Sequence, residues 1–256
     1  MTFDLHSAAA TLRDRARVCA TDVIATAATH IDLTGVVPDA VRQAARRAVP
    51  GEAAADLVAL AAVVEELAVA SAAVGLDACG AALGIDGAAA PAPQWPGLRG
   101  ADADGLRAAL AGDPRWETAV TAALIGLGRA AVEQARTALR AARDAGTPNE
   151  AAQTPLADAA TMVDAARLLA WDAARAGRAR DAATAARAMA RLQALAAVSL
   201  AVSAAEQATG SEASRPGAPL ERLGRDAATL ARVCGDAESA QHAVASAVLP
   251  VSPPTV

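Results

Sequence analysis

Apolar residues recur along this chain at helical spacing, and nowhere is there a convincing strand run. Between residues 7 and 31, Leu12, Ala16, Cys19, Val23 and Ala27 fall three or four apart, which predicts one helix with Ser7 as its cap. "DLTGVVPDAVRQAARRA" breaks at Gly35 and restarts after Pro38, a residue suited to a first helical turn. A third helix is expected from about Ala53 to Gly75. It is apolar on nearly every side except at Glu65 and Glu66, the pattern of a buried helix.

The texture changes between Asp86 and Arg115, where prolines and glycines crowd together and predict a linker with at most one short helix. Long helical patterns follow at about Trp116–Ala145, Pro155–Ala176 and Arg180–Thr209. In the middle one, Met162, Ala166, Leu169 and Ala173 form the apolar stripe, with Asp164, Arg167, Asp172 and Arg175 mostly opposite. Gly210 to Pro219 reads as a polar loop, and a final pair of helices flanks Gly235. The expected architecture is all-α: an N-terminal helical domain over 1–85, a linker over 86–115, a C-terminal four-helix up-down bundle over 116–250 and a tail over 251–256.

Composition sharpens this picture. Alanine dominates, tyrosine is absent and phenylalanine occurs once, so the core has to come from close approach of small side chains, which favours helix on helix. All 23 basic residues are arginine, a bias that matches a GC-rich bacterial genome and carries no functional meaning. The net charge of −5 is well mixed in sign, with neither a basic stripe nor an aromatic platform for nucleic acid. Cys19, Cys79 and Cys234 are far apart and unpaired in spacing, which points to a reducing cytoplasm and away from disulfides or structural zinc. The N-terminus has no apolar core of signal-peptide length, and the run Leu192 to Ala205 falls short of a bilayer crossing. His6, His30 and His242 are scattered, without carboxylates or cysteines at ligand spacing, so no metal site is expected.

Several stretches together resemble the acyl-CoA dehydrogenase family. "LRDRARVCATDVIATAATHIDLTGVVPDAV" is similar to the family's opening helix with its later Ile-Asp, Gly and Pro, and "VVEELAVASAAVGL" to a buried helix with Glu-Glu-Leu. "LIGLGRAAVEQARTALRAA", "PLADAATMVDAARLLAWDAA" and "LERLGRDAATLARVCGDAESAQ" resemble, in order, helices of the family's C-terminal bundle. The resemblance implies a protein of the oxidoreductase lineage with the helical parts of that fold, and with the middle β-sheet flavin domain missing where the 86–115 linker stands.

It also implies altered chemistry. The family's flavin-contacting loop corresponds to "RDAGTPNEAAQTP", where only Arg143 and Gly146 could be remnants, and its glycine-rich turn to "EQATGSEASRPGAP", where only Gln207 and Gly210 could survive. The catalytic Tyr-Glu-Gly-Thr falls on Cys234-Gly235-Asp236-Ala237, which puts Gly235 in the place of the base. A glycine cannot take a proton. No cofactor is therefore expected, with FAD only if a partner chain completes the site.

Asp236, Glu238 and Glu66 are the candidate catalytic residues that remain. Asp236 and Glu238 are either displaced acid–base groups or first-turn acids that suit the dipole of the last helix. Of Glu65 and Glu66 at least one is buried, paired with an arginine such as Arg129 or Arg225, or else held as an acid of raised pKa in a pocket. Cys234 is either a thiol of lowered pKa near a helix start or a small buried side chain. Arg222, Arg225 and Asp226 match a family segment that ties helices together. Trp95, Trp116 and Trp171 are expected as core or interface anchors.

Three functional readings follow: a non-catalytic or assembly subunit that pairs with itself or an intact homologue; a flavin-free enzyme (cyclase, dehydratase or isomerase) on an acyl or polyketide-like substrate; or a subunit of a heteromeric acyl-CoA dehydrogenase sharing a flavin site. None involves nucleic acid or a membrane.

Overall fold

The computed structural model describes residues 5–84, 113–175, 180–215, 217–233 and 237–249. Among these residues every regular element is helical. The first helical pattern is realised as α1 (Ser7–Cys19), a π turn (Ala20–Ile24) and α2 (Ala25–Thr34). Its cap is His6, whose Nδ1 accepts from the Ala9 amide at 3.3 Å, with Ser7 already inside the helix. The chain leaves α2 through Gly35 at φ +78°, a left-handed C-cap that glycine adopts without strain. Helix α3 (Asp39–Ala48) starts after Pro38 as expected.

The single buried helix expected over Ala53–Gly75 is instead three: α4 (Gly51–Ala55), α5 (Leu57–Ala70) and α6 (Ala72–Ala82). Two polar side chains make the breaks. The Asp56 carboxylate accepts from the Val58 amide at 3.0 Å, and Ser71 Oγ from the Val74 amide at 3.4 Å, each restarting a helix where the apolar run continues. All of α5 from Ala59 to Ala68 is buried, so this element is the centre of the N-terminal half.

Helix α7 (Pro114–Asp144) begins two residues earlier than the pattern predicts, because Asp113 caps it through the Arg115 amide and Pro114 suits its first turn. Most of the expected linker lies outside the described residues, and its last two, Pro114 and Arg115, belong to α7. Helices α8 (Gln153–Ala174), α9 (Arg180–Thr209), α10 (Pro219–Val233) and α11 (Ala237–Val248) complete the chain. A 3-10 turn, Gly210–Ser214, occupies part of the expected polar loop. The expected tail over 251–256 lies outside the described residues.

On α8 the buried line is Ala159, Val163, Ala166, Ala170 and Ala173. The expected stripe shares only Ala166 and Ala173 with it: Leu169 is 37% exposed, because the close contacts here are made by smaller side chains. Helix α9 packs against α7, α8 and α11, and α5 packs against α7, so the bundle and the N-terminal group share one core. With its 3-10 extension α9 is long and apolar enough to cross a bilayer by length and composition, which the shorter run at Leu192–Ala205 does not reveal; much of it is buried against its neighbours.

Alanine sets the distance between helices. At Gly126 of α7 even a methyl group would not fit: a Cβ would lie 2.5 Å from the Glu65 carbonyl oxygen and 2.7 Å from Ala68 Cβ. A Cβ on Gly128 would meet Val163 Cγ2 at 2.9 Å. These two glycines let α7 approach α5 on one side and α8 on the other.

Candidate functional site

Placing Glu65 and Glu66 on the buried stretch of α5 forces the rest of the fold to supply cations, since an unpaired buried carboxylate would be severely destabilising. Three helices supply them. Arg129 of α7 directs Nη1 at both carboxylates, 2.9 Å from Glu65 Oε1 and 3.1 Å from Glu66 Oε1. Arg167 of α8 donates Nε to Glu65 Oε1 at 2.7 Å. Arg17 of α1 reaches Glu66 Oε1 with Nη2 at 3.0 Å. Outside this cluster, Asp164 and Asp14 hold Arg167 and Arg17 in turn.

The two glutamates answer this field differently. Burial pushes Glu65 above the ordinary carboxylate range, against the pull of Arg167 and Arg129. Burial would raise Glu66 as well, but the hydrogen bond from Arg17 and the charge of Arg129 outweigh it and hold Glu66 below that range. Arg129 also lines a cleft of about 290 Å³ between α5, α7 and α8, walled by Val69, Val132, Ala160 and Val163 with Glu133 and Asp164 at its rim.

A second charged cluster joins α2 to α10. Arg225 Nη2 lies 2.9 and 2.8 Å from the two oxygens of the buried Asp32, and Arg225 also holds Glu221 through Nε at 2.6 Å. Arg222 donates Nη1 to the Ala70 carbonyl, the last of α5, at 3.0 Å. Asp226 sits on the same helix, 2% exposed. A third clamp has Glu117 near the start of α7 bound by Arg187 and Arg191 of α9.

The two described candidates, Glu66 and Glu238, stand on different helices. Glu66 is buried in the first cluster, paired by Arg129 as anticipated and by Arg17, while Arg225 serves Asp32 instead. Glu238 is exposed on α11. Asp236, together with Cys234 and Gly235, lies outside the described residues. Burial pushes the Cys79 thiol up to about 12 and raises Cys19, so neither forms a thiolate at neutral pH. Among the described residues no group of histidine, cysteine and carboxylate side chains could hold a metal ion.

The two loops with candidate flavin-contacting remnants meet at one end of the bundle. Asn149 Nδ2 donates to the Gln207 carbonyl at 3.2 Å, and Gly146 and Gly210 on either side have φ of +73° and +67°. The Gln207 side-chain amide donates to Ser203 Oγ at 3.4 Å. Arg143, the other candidate remnant, stands in the last turn of α7 beside this loop.

Comparison with known proteins agrees with this architecture. Residues 104–249 match the family model "Acyl-CoA dehydrogenase, C-terminal domain". A solved structure of glutaryl-coenzyme A dehydrogenase in complex with glutaryl-CoA superposes with a TM-score of 0.73 at 19% identity, covering 98% of each chain. A search of curated protein sequences returned no match.

Proposed function

The chain belongs to the acyl-CoA dehydrogenase family, and from that premise we propose that it has lost autonomous flavin-dependent dehydrogenation and serves as a non-catalytic or assembly subunit, pairing with a second copy or with an intact homologue. The observation that carries this reading is the state of Glu66. It is the one candidate base among the described residues that is buried, and two arginines hold it as a structural anion. A carboxylate kept ionised by two guanidiniums is a weak base, because protonating it means giving up both ion pairs.

The base position itself is Gly235, which has no side chain to receive a proton. Loss of chemistry is compatible with retention of the fold, since fold and activity are separately encoded. The outer face of the bundle supports an assembly role: Leu168 and Leu169 on α8 and Met189 on α9 are exposed large apolar side chains. FAD, in this reading, is not held by one chain alone.

The test is direct. The purified protein should be colourless in the visible range and should elute as a dimer, or together with a co-expressed full-length homologue. A bound flavin at one per chain would overturn the proposal. So would turnover of an acyl-CoA by the isolated chain.

A second reading, a flavin-free enzyme acting on an acyl or polyketide-like substrate, draws on the cleft lined by Arg129. In that case Asp236, Glu238 or Glu66 would carry the acid–base step, and the isolated protein would bind substrate without any partner.

A further inference from the structure

Helix α10 packs on α7 and α9 and is tied to the N-terminal helices through a charged cluster that is incompletely paired. Asp226 is 2% exposed, its Oδ1 is wholly buried, and it has no hydrogen-bond or ion-pair partner among the described residues. Its two natural partners on α10 are engaged elsewhere. Arg222, one turn earlier, points Nη1 at the Ala70 carbonyl, and Arg225 is committed to Asp32 and Glu221, leaving its own Nη1 buried and unpartnered.

A buried carboxylate with no donor pays the full cost of desolvation when ionised and much less when neutral. The charged groups around it do not cancel this penalty. Arg222 and Arg225 on α10 favour the anion, while Asp32 on α2 and Glu221 on α10 oppose it, and burial is the largest influence. Together they push the Asp226 carboxyl up to about 7.

We propose that Asp226 is a proton-operated latch on α10: when protonated it lets the helix close on α2 and on the end of α5, and when ionised it loosens that seat. The contacts at stake are those of Arg222 with Ala70 and of Arg225 with Asp32, which join the two helical halves of the molecule.

The sign is opposite to that of an ordinary salt-bridged carboxylate. A group whose folded pKa is raised binds its proton more tightly in the closed state, so closure strengthens as pH falls toward the unfolded value and weakens as pH rises through 7. For a shift from 3.8 to about 7, opening of α10 should be roughly thirtyfold more frequent at pH 8.5 than at pH 5.5.

The experiment is a side-chain ¹³C titration of the aspartates in the full chain, with amide hydrogen exchange of α10 measured at both pH values. The expected result is one carboxyl, assigned to Asp226 through its own backbone, titrating near 7, with exchange in α10 following it. Asp226→Asn should abolish both the signal and the pH dependence of exchange. If Asp226 titrates below pH 5, or if the variant keeps the wild-type pH dependence, the latch is wrong. Should the variant fail to fold, the wild-type titration still decides.

Discussion

Gly126 and Glu65 meet backbone to backbone: a Cβ at position 126 would stand 2.5 Å from the Glu65 carbonyl oxygen. The two helices that carry the Arg129–Glu65 pair are therefore too close at this point to admit even a methyl group. Gly126→Ala must push α7 away from α5, and overpacking of this kind costs about 1–3 kcal/mol. The same substitution would normally favour a helix by about 1 kcal/mol, so a loss in urea denaturation identifies the crossing as its cause.

Glu65 and Glu66 are adjacent, yet their neutral replacements should behave differently. In Glu65→Gln, Arg167 keeps Asp164 and Arg129 keeps Glu66, and a carboxylate that burial already disfavours is gone. Stability should change by less than about 1 kcal/mol. Glu66→Gln removes the anion that Arg17 and Arg129 hold, and should cost about 2 kcal/mol at pH 7. Equal losses in the two variants, measured by denaturation, would refute the asymmetry.

The pH dependence of Glu66 follows from its lowered pKa. Its stabilisation is fully present above the unfolded value and disappears as pH falls through the folded one, so wild type and Glu66→Gln should converge on acidification. A gap between them that stays constant from pH 7 to pH 3 would mean that the effect is packing rather than charge.

Asp32 anchors Arg225 from 193 positions away; the carboxylate is buried, while the guanidinium side chain stays about a quarter exposed. Asp32→Ala leaves the partly exposed Arg225 with Glu221 and should lower stability by about 2 kcal/mol, the range for losing hydrogen bonds to a charged group. Exposed Glu238 is the contrast: Glu238→Gln should stay within about 0.5 kcal/mol of wild type in thermal unfolding. Any functional loss in that variant would then report chemistry, not folding.

Much of the helical layout is legible in the sequence because long amphipathic periods carry it; α9 is found at Arg180–Thr209, as its uninterrupted pattern implies. The breaks in the N-terminal half are less visible. Asp56 and Ser71 end helices through capping bonds, while the apolar run on which the pattern depends passes straight through them. The site was partly legible too. Arg129 can be anticipated as a partner for Glu65 and Glu66, since a buried acid demands a base, but nothing local points to Arg17 or to Arg167, 102 residues from Glu65. Asp226 reads as a tie between helices, and only burial without a partner sets it apart.

The alanine interior has a consequence for how this protein can be probed. Truncation scanning, which replaces each side chain by a methyl group, would pass over most of the positions that hold the helices together, because they are methyl groups already. Here enlargement is the informative perturbation. Valine or leucine introduced one position at a time along Ala119, Ala123, Ala166, Ala194 and Ala201 would trace which helix pairs can move apart, and so where the molecule could yield to a partner.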